Sequence, residues 1–198
     1  MRLAVDTLND WILRLLAAAG LPDHQATVAA RVFTDASLRG VGHHDVSFLP
    51  QRLDWLTRLG VNPRPDISLV RSFGGTEVWE GDKGLGEVCC SWITDRAMIL
   101  AGEFGIGYAV IRNSNHFLAA SPYVERCAAN GFLGLVFSST DAGMSVPGGH
   151  GLGIGNNPLG FALPQVGYPT LMADLCMAYS SLGNLKAMAQ AGQSVPSY

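Results

Sequence analysis

The sequence predicts an α/β fold, in which a helical N-terminal part precedes a body that contains a mixed β-sheet. Apolar residues recur at spacings of three and four over the first 60 residues, as they do on the buried face of a helix. Short alternating and apolar segments follow after Pro65, separated by turn residues. The 24 glycines among 198 residues fit a body with many tight turns. We therefore divide the chain into residues 1–65 and 66–198.

The N-terminal part is predicted to contain three helices. The first covers Leu8–Leu16 and ends at Gly20, because glycine readily takes the left-handed conformation that closes a helix. The second begins at Asp23, after a proline that suits a helix start, and ends near Gly40. The third is amphipathic and runs from about Ser47 to Leu59.

The body is predicted to alternate strands and helices. Two strands form a hairpin around a Gly-Gly turn, and the remaining elements follow in strand and helix order. The predicted strands are Ile67–Val70, Thr76–Trp79, Tyr108–Ile111, Leu133–Ser138, Leu159–Leu163 and Thr170–Asp174, and the predicted helices are Gly86–Glu103, Ser121–Ala129 and Ser180–Gln190.

Composition excludes several classes of protein. The formal charge is −3, from 13 Lys and Arg against 16 Asp and Glu, and no basic cluster of the kind that binds nucleic acid is present. No apolar stretch reaches the roughly 18 residues of a membrane span, and the first residues do not resemble a signal peptide. The cysteines lack metal-ligand spacing, so we expect free thiols, no metal site and a cytoplasmic location. They are Cys89, Cys90, Cys127 and Cys176.

Two histidines are candidates for proton chemistry, since imidazole exchanges protons near neutral pH. His44 lies at the entry to the third helix; if residues 44–52 are helical, Phe48 and Arg52 share its face. The alternative is a histidine that caps the helix or faces solvent. His116 ends a polar loop between a strand and a helix, where ligands often bind. The alternative there is a turn whose histidine packs against Phe117.

Two further motifs are ambiguous by themselves. The Gly-Asn-Asn-Pro stretch that contains Asn156 fits an ordinary turn, and Asp174 at a strand end fits a helix cap. The dinucleotide motif GxGxxG is absent, so a Rossmann fold is not supported.

Taken in order, these motifs resemble those of the malate/L-lactate dehydrogenase family, which is unrelated to the Rossmann lactate dehydrogenases. The resemblance covers essentially the whole chain, and its most specific parts are the Ser-Asn-His-Phe stretch ending at Phe117 and the turn containing Asn156. It implies a non-Rossmann fold, usually dimeric, and an NAD- or NADP-dependent dehydrogenase. The implied substrate is a 2-hydroxy or 2-oxo acid, or a related imino acid.

The resemblance also implies roles for individual residues. His44 falls on the family's catalytic histidine, His116 on the second histidine of the site, and Thr140 on a hydroxyl that touches substrate. The implied cofactor contacts are Asn156, Thr170, Leu171, Met172, Ala173, Asp174, Leu175 and Cys176.

The sequence departs from the family pattern in two places. Phe48 stands where the family has an arginine that clamps the substrate carboxylate, and we expect Arg52, one helical turn further on, to take over that contact. The alternative is a solvated Arg52. Family chains also continue well past the equivalent of Pro196, so the chain is expected to be C-terminally truncated. This leaves a second hypothesis open, an inactive remnant that serves only for binding or dimerisation.

Overall fold

The computed structural model of the chain describes residues 3–58, 60–178 and 180–194. Leu59 and Pro196, which entered the sequence predictions, lie outside these ranges. A short 3₁₀ helix, Val46–Phe48, precedes the third α-helix. The α-helices are α1 (Val5–Ala18), α2 (Asp23–Leu38), α3 (Leu49–Arg58), α4 (Gly86–Phe104), α5 (Ser121–Ala129) and α6 (Leu182–Gln190), and the strands are β1 (Ser68–Phe73), β2 (Thr76–Glu80), β3 (Tyr108–Arg112), β4 (Gly134–Phe137), β5 (Leu159–Leu163) and β6 (Leu171–Leu175).

The first three helices form as predicted, except at the start of α3. Asp45 accepts a hydrogen bond from the backbone N–H of Ser47 at 2.8 Å and so caps the 3₁₀ helix. Because of this 3₁₀ turn, α3 begins at Leu49, near the predicted start at about Ser47. A continuous α-helix over residues 44–52, the condition for His44, Phe48 and Arg52 to share one helix face, does not form. His44 therefore lies in the loop before the helix. Its proximity to Phe48 is a consequence of that loop's shape.

The first sheet is mixed, as predicted. β1 and β2 form an antiparallel hairpin around Gly74-Gly75, and β3 pairs parallel to β2 after the crossover helix α4. Parallel pairing requires such a crossover, because a tight turn can only reverse the chain. The loop that follows β3 carries His116.

The second sheet is antiparallel, with strand order β4-β5-β6. One face packs on α5, where Val124 and Ala128 contact Ala162 of β5. The opposite face is apolar and exposed: Leu135, Phe137 and Leu171 keep 58%, 58% and 52% of their surface open to solvent. The two faces differ because side chains alternate along a strand.

One hydrophobic core joins the helical part to the body. It contains Ile12, Leu16 and Phe33 from α1 and α2, and also Leu85 and Tyr123 from beyond residue 65. The division of the chain at residue 65 stays a prediction, but the residues on the two sides of it share a core. Within the described ranges, no helix is long and apolar enough to cross a bilayer.

Gly86, the first residue of α4, lets the helix touch the loop that carries His116. A Cβ atom at this position would lie 2.2 Å from the carbonyl oxygen of His116 and 2.3 Å from that of Asn115. Backbone atoms cannot rotate away as a flexible side chain would. The absence of a side chain at Gly86 therefore fixes how closely the loop approaches α4.

Replacing Gly86 by alanine is expected to lower the free energy of unfolding by about 1–3 kcal/mol, since overpacking forces the backbone to shift. Gly102, on the same helix, has open space where a Cβ would lie. The matched change Gly102→Ala should raise stability by roughly 0.5–1 kcal/mol, because alanine is the better helix former. Urea titrations of both variants measure the difference; effects of the same sign would contradict the close approach.

Candidate active site

The structure brings His44 and His116 together from two separate loops. Their ring centroids lie 4.9 Å apart, and the ring of His43 lies 4.3 Å from that of His44 on the other side. His44 comes from the loop between α2 and the 3₁₀ helix, and His116 from the loop between β3 and α5. His116 does stack on Phe117, at 6.2 Å between ring centroids, as the alternative for that loop held. That alternative, like the helix cap for His44, does not account for the contact between the two histidines.

Hydrogen bonds hold the loop of His44 against α2. The backbone N–H of His44 donates to the carbonyl of Val41 at 2.8 Å, and the N–H of Val46 donates to the Ser37 hydroxyl at 3.1 Å. The hydroxyl of Ser47 donates to the Gly42 carbonyl at 3.0 Å. The loop is therefore tied to α2 on one side and closed internally on the other.

The loop of His116 is fixed to the turn that precedes α4. The Asn115 amide donates to the carbonyls of Lys83 and Gly84 at 2.9 and 3.0 Å. Leu118 has a φ of 67°, a left-handed conformation that is uncommon for a bulky side chain. In this conformation its N–H reaches back to Nδ1 of His116 at 3.1 Å. The Tyr123 hydroxyl donates to the Phe117 carbonyl at 2.7 Å.

Arg52 contacts His116 and has no exposed surface. Its Nε donates to Oε1 of Glu87 at 2.7 Å, and its Nη2 lies 3.1 Å from Nδ1 of His116 and also donates to the His116 carbonyl. The guanidinium carbon lies 5.0 and 4.6 Å from the ring centroids of Phe48 and Trp55. The solvated Arg52 that the sequence left open is thus wrong. Direct contact between Arg52 and a substrate stays a prediction.

His116 is held in its neutral form. Although the residue as a whole is exposed, its ring contacts those of His44, Phe48 and Phe117 and the guanidinium of Arg52. Loss of water around the ring and then the charge of Arg52 lower the pKa of His116 to about 3. Its ring therefore carries no positive charge at neutral pH.

His44 is neutral for a related reason. Burial lowers its pKa to about 4, and the neighbouring His43 acts in the same direction. Asp174 opposes this effect, because its negative charge raises the pKa of His44.

Asp174 also connects the second sheet to the site. Its Oδ2 accepts a hydrogen bond at 2.8 Å from the backbone N–H of Ser121, the first residue of α5. A carboxylate at a helix N-terminus is favourable, because free N–H groups point toward it. Asp174 does cap a helix, as one alternative held, but it is α5 and not the helix that follows in sequence. The cap of that following helix, α6, is Ser181.

The remaining predicted cofactor contacts lie on and beside β6. Leu171, Met172, Ala173 and Leu175 belong to the strand, and Thr170 and Cys176 flank it. Met172 faces α5 with Asp174, whereas Leu171 and Leu175 lie on the exposed apolar face of the sheet. Their roles stay predictions.

Thr140 and Asn156 form a second cluster. The Thr140 hydroxyl donates to Oδ1 of Asn156 at 2.8 Å, and the Asn156 carbonyl accepts from the N–H of Met177 at 2.8 Å. These bonds join the segment after β4 to the segment after β6. Among the described hydrogen bonds and ring contacts, none links this pair to the histidines.

Sequence reasoning missed Glu87 and Trp55. Glu87 is fully buried in the first turn of α4, in a run that is otherwise composed of small and apolar residues. A lone carboxylate in such a run is a signal that a cation faces it, since buried carboxylates are paired. Trp55 has no comparable signal, because its spacing already fits an ordinary core position.

Among the described residues, no three His, Cys, Asp or Glu side chains converge as a metal site requires.

Comparison with known proteins places the chain in one family. Residues 3–198 match the family model described as malate/L-lactate dehydrogenase. The chain is 29% identical over 196 residues to malate dehydrogenase from Pyrococcus abyssi, with 99% of this chain and 54% of the relative covered. It is also 29% identical over 196 residues to 2,3-diketo-L-gulonate reductase from Escherichia coli, covering 99% of this chain and 58% of that protein.

Solved structures agree with this placement. Sulfolactate dehydrogenase from Methanocaldococcus jannaschii superposes with a TM-score of 0.91 and 30% identity, over 99% of this chain and 57% of that one. Malate dehydrogenase from Pyrococcus horikoshii gives a TM-score of 0.88 at 30% identity, over 94% and 53%. The chain spans about half the length of the curated relatives it matches. The chain belongs to the malate/L-lactate dehydrogenase family, as its histidine-bearing loops had suggested.

Proposed function

We propose that the protein is an NAD- or NADP-dependent oxidoreductase that interconverts a 2-hydroxy and a 2-oxo acid, or reduces a related imino acid. The observation that carries the proposal is the contact between His44 and His116, at 4.9 Å between ring centroids, with Arg52 behind them. The named relatives are dehydrogenases and reductases, which supports this class of reaction.

The two histidines suit different parts of this chemistry. Reduction of a carbonyl adds a hydride to carbon and a proton to oxygen, and a bound nicotinamide would supply the hydride. Negative charge that develops on the oxygen is stabilised by a hydrogen-bond donor, for which the ring N–H of His116 is placed. His44, neutral and beside it, would accept the hydroxyl proton when the 2-hydroxy acid is oxidised. In the reduction it would first take up a proton from water and then pass it to the substrate oxygen, so that it ends neutral again.

A 2-oxo acid also brings a carboxylate, which needs a cation. Arg52 is the arginine in contact with His116, and its Nη1 has no hydrogen-bond partner among the described residues. Phe48 makes the surroundings apolar and so increases the demand for that charge. We keep Arg52, Phe48 and Thr140 as proposed substrate-site residues, with Nη1 as the free donor of Arg52.

The backbone groups of β6 and the polar side chains beside it suit a bound dinucleotide. This strand is at the edge of its sheet, so the backbone groups on its outer side have no strand partner within the described ranges. Free backbone donors and acceptors suit the amide and hydroxyl groups of such a cofactor. Next to Asp174, the buried Ser121 hydroxyl also has no partner in this part of the chain. We propose that residues 170–176 and Asn156 hold the cofactor.

The exposed apolar face of the second sheet also fits the second hypothesis, an inactive remnant that serves only for binding or dimerisation. Leu135, Phe137 and Leu171 form a contiguous apolar face on β4 and β6, and such surfaces usually contact another polypeptide. A homodimer, or a module that only binds a partner, would both account for it. The contact between His44 and His116, by contrast, is needed only by the enzyme hypothesis, because binding or dimerisation through this face does not use it.

Removing either histidine is expected to lower kcat/KM of the protein by about 10²–10⁴-fold, the usual contribution of general acid–base catalysis for His44 and of an oxyanion donor for His116. The assay follows NADH and NADPH oxidation with a panel of 2-oxo acids and cyclic imino acids. His44→Ala and His116→Ala are compared with His24→Ala, an exposed position on α2. If the protein oxidises neither cofactor with any substrate of the panel, the remnant hypothesis replaces the enzyme hypothesis.

Cofactor binding by the 198-residue chain alone is expected to be weak, with a dissociation constant in the high micromolar range. The chain spans 54–58% of its curated relatives, so contacts supplied by the rest of their length are missing from this polypeptide. Losing a few contacts moves binding from about −8.2 kcal/mol at 1 μM toward −4.1 kcal/mol at 1 mM. Fluorescence titration with NADH and NADPH measures it, with intact 2,3-diketo-L-gulonate reductase as the reference. Submicromolar binding would show that the missing contacts contribute little.

Stability is expected to fall as the pH is lowered from about 7 toward 4. In this range the unfolded histidines bind protons, whereas His44 and His116 in the folded chain do not, because their pKa values are about 4 and 3. The unfolded state then holds more protons, and His44 contributes a slope of up to about 1.4 kcal/mol per pH unit. His116 contributes a smaller slope, because its exposed surface lets solvent screen the ring. Urea titrations from pH 4.5 to 7.5 should show a smaller slope in His44→Gln and His116→Gln. Equal slopes in all three proteins would mean that the histidines are not held neutral.

A further inference from the structure

The buried ion pair between Arg52 and Glu87 is costly for the fold. Both side chains have no exposed surface, and Nη1 of Arg52 and Oε2 of Glu87 have no hydrogen-bond partner among the described residues. Two apolar residues of similar size would fill the same space without this cost, because burying charges is repaid only when all their polar atoms are satisfied. The pair therefore calls for an explanation other than stability.

The hydrogen bonds of Arg52 indicate what the pair does. Nδ1 of His116 faces two groups at 3.1 Å, Nη2 of Arg52 and the backbone N–H of Leu118. Neither group can accept a hydrogen bond, since guanidinium carries only donors and a backbone nitrogen does not act as an acceptor. Nδ1 must therefore present its lone pair, and in the neutral ring the proton lies on Nε2.

Glu87 and two aromatic rings keep Arg52 in this position. Oε1 of Glu87 accepts from Nε, which fixes the guanidinium plane, while Phe48 and Trp55 lie against it at 5.0 and 4.6 Å. Phe48 stands where the family pattern has an arginine. In this chain the aromatic ring at that position thus supports an arginine supplied from α3.

We propose that Arg52 and Glu87 are a positioning pair, which holds the ring of His116 with its proton on Nε2 so that this N–H donates to the substrate oxygen. This inference rests on the proposed function for the identity of the acceptor, but the state of the ring can be measured without substrate. This role is the alternative to the direct carboxylate contact proposed above, because Arg52 would act through His116 and its side chain has no exposed surface. In this role Arg52 is a positioning residue. Its effect on the reaction should appear in kcat.

The test is the tautomer of His116, read from two-bond ¹H–¹⁵N correlation spectra of the 198-residue chain. The wild-type ring should show a protonated Nε2 and an unprotonated Nδ1. Replacing both partners, as Arg52→Met with Glu87→Leu, removes the charges together and avoids leaving Glu87 buried alone, which protects the fold. In this double variant the N–H of Leu118 still donates to Nδ1, so we expect Nε2–H to stay the major tautomer with a minor population of Nδ1–H. We also expect the pKa of His116 to rise by about one unit or more, since a nearby positive charge has been removed. His44 and His43, which also face the ring, are left in place.

A matched control uses the ion pair between Arg96 and Glu77, which lies on α4 and β2 and does not contact His116. The double change Arg96→Met with Glu77→Leu should leave the tautomer of His116 as in the wild type. A wild-type ring protonated on Nδ1, or a single Nε2–H tautomer that persists without Arg52 and Glu87, would overturn the proposal.

Kinetics of the protein separate this inference from the proposed function. Arg52→Met with Glu87→Leu should lower kcat by tenfold or more with a smaller change in KM, whereas loss of a carboxylate clamp would mainly raise KM. A large rise in KM with kcat unchanged would overturn the positioning role. A protein with no dehydrogenase activity but the expected tautomer shift would overturn the proposed function and uphold the positioning of His116.

Discussion

The buried contact from Glu87 through Arg52 to His116 is the constraint on which the site depends. It connects α4, α3 and the loop after β3, three parts of the chain that are far apart in sequence. Because the guanidinium can only donate, it dictates which nitrogen of His116 keeps a lone pair. A backbone conformation at Leu118 that is otherwise unfavourable supplies the second donor. The position of the proton on His116 therefore depends both on the packing around Arg52 and on the strained backbone at Leu118.

Much of the fold could be predicted from the sequence, because its local signals agree with one another. Helices α1, α2, α4 and α5 follow their apolar periodicity and their Gly and Pro boundaries, and the hairpin of β1 and β2 follows its Gly-Gly turn. The continuous α-helix over residues 44–52 is the exception. There Asp45 caps a 3₁₀ turn, a local hydrogen bond that apolar spacing does not report. The family assignment was confirmed, since ordered motifs persist where overall identity is low.

The site could be predicted only in part. His44 and His116 carry a chemical signal that is visible in the sequence, but their contact depends on two loops whose shape comes from tertiary hydrogen bonds. Arg52 was expected to turn toward a substrate carboxylate or toward solvent. Its burial follows from Glu87, which lies 35 positions further along the chain, and no rule of spacing within one helix can find such a partner.

The shared core of α1, α2, α4 and α5 has a thermodynamic consequence for any molecule that binds between the two histidines. The loop of His44 is tied to α2 through Ser37, and the loop of His116 is tied to the turn before α4 through Asn115, so each loop forms one side of the site. Unfolding of either side would separate the rings. A ligand held by both loops therefore binds only the folded chain, and it raises global stability by RT ln(1 + [L]/Kd). Shifts in thermal midpoint can thus rank candidate substrates before any turnover is observed.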